Sequence, residues 1–119
     1  MTEKSRPNVV GKGPTLTREM LEVFQAIQAN SQGLSQEAAL LITSQLGERS
    51  AELEKIIKMA YLKTVKAGET AWDMKEKALE LKDSMTAGDE AKSLEITKDL
   101  TAELDQLIHK TKTFVVRMT

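Results

Sequence analysis

The stretch VKAGETAWDM, residues 65–74, decides between two folds for this chain. Lys63 and Lys66 precede Gly68, as cations do in the last turn of a helix, and Thr70 with Asp73 resembles an N-terminal capping box. These local signals favour a turn. They predict a four-helix up-and-down bundle that is broken near Gly68.

An uncharged repeat runs through the same stretch and favours the other fold. Alternating steps of four and three residues, counted from Leu46, reach only uncharged residues. These are Leu46, Ser50, Leu53, Ile57, Ala60, Thr64, Ala67, Ala71, Met74, Ala78, Leu81 and Met85. A loop has no reason to keep a heptad phase, and one glycine inside a helix costs only about 1 kcal/mol relative to alanine. We therefore predict an all-α antiparallel hairpin or bundle with one long central helix over 35–86. The bundle broken near Gly68 is the alternative.

Shorter helices are predicted on both sides of the central one. A one-sided apolar stripe predicts a first helix over 16–30 and consists of Leu16, Met20, Val23, Phe24 and Ile27. Gly33 and Ser35 then supply a helix stop and a new N-cap. Gly88 and Asp89 do the same before a last helix over 89–117, whose acidic start and basic end suit the helix dipole.

The proline and glycine content separates the beginning of the chain from the rest. Residues 1–15 contain both prolines and two of the six glycines, with only Val9 and Val10 to bury. We expect a flexible arm there and a single helical domain over 16–119.

Composition excludes several classes of function. Seventeen basic and eighteen acidic residues give a formal charge of −1, so we expect no nucleic-acid partner. The absence of cysteine excludes disulfides, thiolate catalysis and zinc-cysteine sites. No apolar run approaches the roughly 18 residues of a membrane span, and no cleavable signal is visible. We expect a cytoplasmic protein, with export by an uncleaved signal left open.

Few residues are of the types that catalyse reactions or bind metals and cofactors. The six glycines are scattered and form no phosphate-binding loop, and the paired carboxylates alternate with lysines as on a solvated helix face. His109 is the only histidine, which excludes a carboxylate-histidine di-iron site. The remaining cofactor hypothesis is a haem held by His109 with Met20 or Met118. We expect no enzyme, no catalytic or metal-binding residue and no cofactor.

A second apolar row lies beside the uncharged repeat. Val65, Trp72 and Leu79 follow one another at intervals of seven residues, with Tyr61 on the same flank. Such a row either binds a partner or completes the core of a broken bundle. We interpret Tyr61, Val65, Trp72 and Leu79 as partner-binding residues. The expected function is a non-enzymatic interaction module: a dimerising adaptor, secretion-type chaperone or assembly subunit that binds a partner helix or a second copy of itself.

The segment LELKDSMTAGDEAKSLEITKDLTAELDQL, residues 79–107, resembles phasin-type granule proteins, in which amphipathic helices flank a short break. The resemblance covers about a quarter of the chain. It implies an alternative function, in which an amphipathic face coats a hydrophobic inclusion.

Overall fold

Four α-helices and one short 3₁₀ turn make up the part of the chain, residues 8–118, that the computed structural model describes. They are α1 (Gly13–Ala29), α2 (Gln36–Ile56), the 3₁₀ turn (Ala60–Lys63), α3 (Val65–Thr86) and α4 (Glu90–Met118). These described residues contain no strand, and the helices pack against one another. The predicted all-α helical bundle is confirmed.

The predicted continuous helix over 35–86 is wrong. The chain leaves α2 after Ile56, passes through the 3₁₀ turn and starts α3 at Val65, so the alternative, a four-helix bundle broken near Gly68, describes the fold, with the break just before that glycine. Thr64 starts the new helix, because its hydroxyl accepts a hydrogen bond of 3.1 Å from the backbone N–H of Ala67. The turn also buries Leu62 completely. In a straight helix Leu62 would lie on the side opposite the uncharged repeat. The free energy gained by burying Leu62 therefore outweighs the heptad register that favours a straight helix.

The predicted flexible arm over residues 1–15 is wrong for its second half, whereas residues 1–7 lie outside the described part. Val9 is only 4% exposed and packs in a small cluster with Leu16 and Ala71. The first helix starts at Gly13 and carries Pro14 in its first turn, where a missing N–H costs nothing. Burial of Val9 fixes this segment against α3.

α1 and α3 lie side by side and run in the same direction. At their starts, Gly13 lies against the Leu62 carbonyl so closely that a Cβ would overlap it. Further along both helices, Glu19 of α1 forms an ion pair of 2.9 Å with Lys75 of α3. Beyond the end of α1, Gly33 touches the Met85 carbonyl in the last turn of α3.

α2 and α4 form a second parallel pair. The Ser35 hydroxyl, at the start of α2, donates a short hydrogen bond to Glu90 at the start of α4. In the middle of the helices, Arg49 and Asp105 form a two-pronged ion pair with distances of 2.9 and 3.0 Å. The order of these contacts along both helices shows that they share one direction.

The chain thus consists of two helical hairpins, α1–α2 and α3–α4, that stack in the same orientation. The consecutive helices α2 and α3 lie diagonally across the bundle, and within the described residues no Cα atom of one comes within 8 Å of a Cα atom of the other. Buried positions of the two hairpins recur 54 residues apart at Met20 and Met74, Ile27 and Leu81, Ile42 and Ile96, Leu46 and Leu100, and Leu53 and Leu107. Side chains from both hairpins therefore form one shared core.

Candidate partner-binding face

The outer face of α3 carries three of the four predicted partner-binding residues. Val65, Trp72 and Leu79 are spaced by seven residues, which on a helix puts them on nearly the same side. Val65 is 49% exposed, and Trp72 and Leu79 are half-buried. These three residues form an apolar strip along α3 that is partly exposed to solvent.

Tyr61 does not belong to that strip, so the predicted row of four is wrong as one surface. Its position rested on a helix that continues through residue 61, whereas the 3₁₀ turn carries Tyr61 to α4. There its ring packs against that of Phe114, with ring centroids 5.4 Å apart and planes tilted by 55°. Tyr61 packs against the shared core, whereas Trp72 packs against the separate cluster around Val9.

Trp72 is held in place by contacts on its α1 side. It packs against the cluster of Val9, Leu16 and Ala71. The ammonium of Lys75 lies 5.6 Å from the centre of the indole and is itself paired with Glu19. A cation near an aromatic face is attracted by the ring quadrupole, so this contact adds to the packing that orients the indole.

A shallow, open groove of about 820 Å³ runs along the same face, and all of its described lining residues belong to α3. Trp72 and Leu79 supply its apolar surface. The other lining residues among those described are charged, five of them acidic and one basic: Glu69, Asp73, Glu76, Lys77, Glu80 and Asp83. The groove therefore combines two apolar side chains with an excess of negative charge.

A further exposed apolar pair, Leu40 and Leu41 on α2, was not predicted from the sequence. Leu40 is 68% exposed and Leu41 is 50% exposed. The signal was present in the run of five apolar residues over 38–42, since consecutive residues of a helix point in different directions and cannot all reach one core. Ala38 and Ile42 are buried, and the two leucines between them face outward.

The residues proposed for a haem do not meet. His109 is exposed on α4, whereas Met20 is fully buried in α1, and no described Cα atoms of these two helices lie within 8 Å of each other. The side chain of Met118 lies outside the described part. Within residues 8–118 there is also no group of three or more histidine, aspartate or glutamate side chains that could hold a metal ion.

None of the described helices has an apolar stretch sufficient to cross a bilayer. Comparison of the chain with protein-family models, with curated proteins and with solved structures gave no match in any of the three.

Proposed function

We propose that this chain is a non-enzymatic interaction module that holds a cationic amphipathic helix on the outer face of α3. The observation that carries the proposal is the groove in which Trp72 and Leu79 lie among five carboxylates and one lysine. An amphipathic helix fits such a groove when its apolar side chains contact the indole and the leucine. Its flanking lysines or arginines would then lie near the acidic side chains of α3.

The chemistry of Trp72 supports the same assignment. Tryptophan is common among residues that dominate binding energy, because its large rigid surface loses little conformational freedom on association. The indole is already oriented by Lys75 and by the cluster around Val9. A pre-oriented anchor lowers the entropy cost of binding a partner.

A model peptide provides the test. We would titrate the full chain with a labelled amphipathic peptide of about five helical turns whose polar flanks carry lysine, and measure anisotropy and Trp72 fluorescence. We expect saturable binding that weakens with added salt, since charge attraction contributes to it. A peptide of the same apolar pattern with glutamate in place of lysine is the charge control.

Two variants locate the binding surface. Leu79→Glu puts a charge among the apolar contacts and should weaken binding by roughly tenfold or more, about 1.4 kcal/mol. Leu40→Glu changes an exposed leucine on α2 and should leave binding unaltered. Equal loss in both variants, or equal affinity for both peptides, would contradict the proposal.

Coating of a hydrophobic inclusion requires an additional step. The apolar side chains of residues 79–107 include Leu81, Met85, Leu100 and Leu104, which are buried in the shared core. They reach an apolar surface only if α3 and α4 separate from the rest of the bundle. The partner-helix proposal needs no such opening.

A further inference from the structure

We propose that two copies of this chain exchange hairpins, by straightening of the segment 57–64 between α2 and α3. In the exchanged dimer, α1–α2 of one copy packs on α3–α4 of the other, so the interface is the one that already joins the two hairpins. This inference does not depend on the proposed function. Its partner is a second copy of this chain.

The segment contains nothing that prevents a helix. Residues 57–64 read IKMAYLKT and include neither glycine nor proline. The bend rests on two extended residues, Met59 with ψ 150° and Thr64 with ψ 155°. The Thr64 cap and the tertiary contacts of the 3₁₀ turn therefore hold the bend, because no glycine or proline in the segment prevents a straight helix.

The register across the segment is already that of one helix. The uncharged repeat from Leu46 to Met85 keeps its alternating steps of four and three through Ile57, Ala60 and Thr64. If the segment straightens, the buried faces of α2 and α3 become one continuous stripe. Each copy then offers that stripe to the hairpins of the other.

The parallel stack makes the exchange possible without new contacts. The ion pairs Arg49–Asp105 and Glu19–Lys75 join the two hairpins, and both are re-formed between copies after exchange. Domain exchange is favoured when a short connection is the only part that must change. Here that connection is eight residues long, between Ile56 and Val65.

Two contacts are lost when the hairpins exchange, so the monomer is the favoured form in dilute solution. Leu62 leaves the core when the segment straightens, and Tyr61 leaves Phe114. Exchange is bimolecular, so its equilibrium shifts with protein concentration. We expect the dimer after refolding at high concentration.

The shape of the exchanged dimer distinguishes it from a dimer in which two folded bundles touch at their surfaces. A straight helix over 36–86 is about 75 Å long at 1.5 Å per residue, whereas the longest dimension of the single bundle is 45 Å. Small-angle scattering on the fraction with twice the 13.2 kDa mass should therefore show an elongated particle.

Two substitutions in the segment should act in opposite directions. Ala60→Pro suits the bent form, because Ala60 is exposed, Met59 before it is extended, and the backbone bonds of the turn are donated by other residues. A proline there breaks a straight helix. Thr64→Ala removes the cap that starts α3 and so favours the straight form.

The measurement is the dimer fraction by analytical ultracentrifugation after refolding at high and low concentration. We expect an elongated dimer for the natural chain, none for Ala60→Pro and a larger fraction for Thr64→Ala. A chain that stays monomeric throughout, or a dimer that survives Ala60→Pro, would overturn the proposal; loss of that dimer in Leu40→Glu would point to a surface contact of α2 instead.

Discussion

The backbone of Val9 lies directly against Gly68 of α3. A Cβ at position 68 would come within 2.8 Å of the Val9 carbonyl oxygen and 3.0 Å of its Cγ2. Gly68 therefore neither turns the chain nor merely interrupts a helix; it leaves room in the first turn of α3 for the segment before α1.

Gly68→Ala is expected to destabilise the chain by roughly 1–3 kcal/mol, because the Val9 backbone must move to admit the methyl group. Gly47→Ala in α2 is the matched control, since its Cβ would meet only the Gln28 side chain at 3.6 Å. The helical preference of alanine should make this control more stable by about 0.5–1 kcal/mol. Urea unfolding measures both, and the same sign for the two variants would contradict the role given to Gly68.

Thr64→Ala should destabilise the single bundle by about 1 kcal/mol, because the N–H of Ala67 loses its hydroxyl acceptor. Thr70→Ala is the control within the same helix. The Thr70 hydroxyl is exposed to solvent and donates to the Lys66 carbonyl, four residues earlier in the same helix, so its loss should change stability by no more than about 0.5 kcal/mol. Thermal unfolding in dilute solution gives both values; equal effects would argue against Thr64 as the cap.

Leu46→Ala should cost about 2–5 kcal/mol, since Leu46 is fully buried and its truncation leaves a cavity in the shared core. Leu40→Ala, in the same helix, removes an exposed side chain and should cost less than about 0.5 kcal/mol. Chemical denaturation compares the two directly. A large effect of Leu40→Ala in the dilute chain would mean that α2 is rotated from the orientation described here.

The pKa of Glu52 is lowered by a hydrogen bond from Lys112, with the attraction of the same ammonium as the second cause. A lowered pKa in the folded state stabilises the protein above the ordinary glutamate value of about 4.3, and this stabilisation is lost as pH falls through the lowered pKa. Lys112→Met should raise the pKa of Glu52 and weaken this pH dependence. NMR titration of the Glu52 carboxyl measures the shift, and Lys98→Met, another exposed lysine of α4, should leave it unchanged.

Local signals in the sequence located the ends of several helices. Ser35 accepts from the N–H of Ala38 at 3.3 Å, and Asp89 accepts from that of Lys92 at 3.2 Å, as their positions predicted. Gly88 has a φ of +75°, the left-handed conformation expected after a helix. These signals act within a few residues, so one chain suffices to find them.

The bend before α3 depends on contacts between residues that are distant in sequence. The 3₁₀ turn that contains the buried Leu62 packs against α1, α3 and α4, and no glycine or proline marks the break in the sequence. The uncharged repeat continues on both sides of the break because α2 and α3 each bury one apolar side in the same core. Tyr61 was assigned to the wrong surface for the same reason, since its direction follows from the bend.

The common direction of the two hairpins also has a kinetic consequence. The Ser84 and Ser93 hydroxyls join α3 to α4 at 2.8 Å across a separation of nine residues, whereas Arg49 and Asp105 join the hairpins across 56 residues. Closing a longer loop loses more chain entropy, so near neighbours meet sooner. Each hairpin should therefore form early. Docking of the two hairpins should be the slow event, and it must await synthesis of the whole chain.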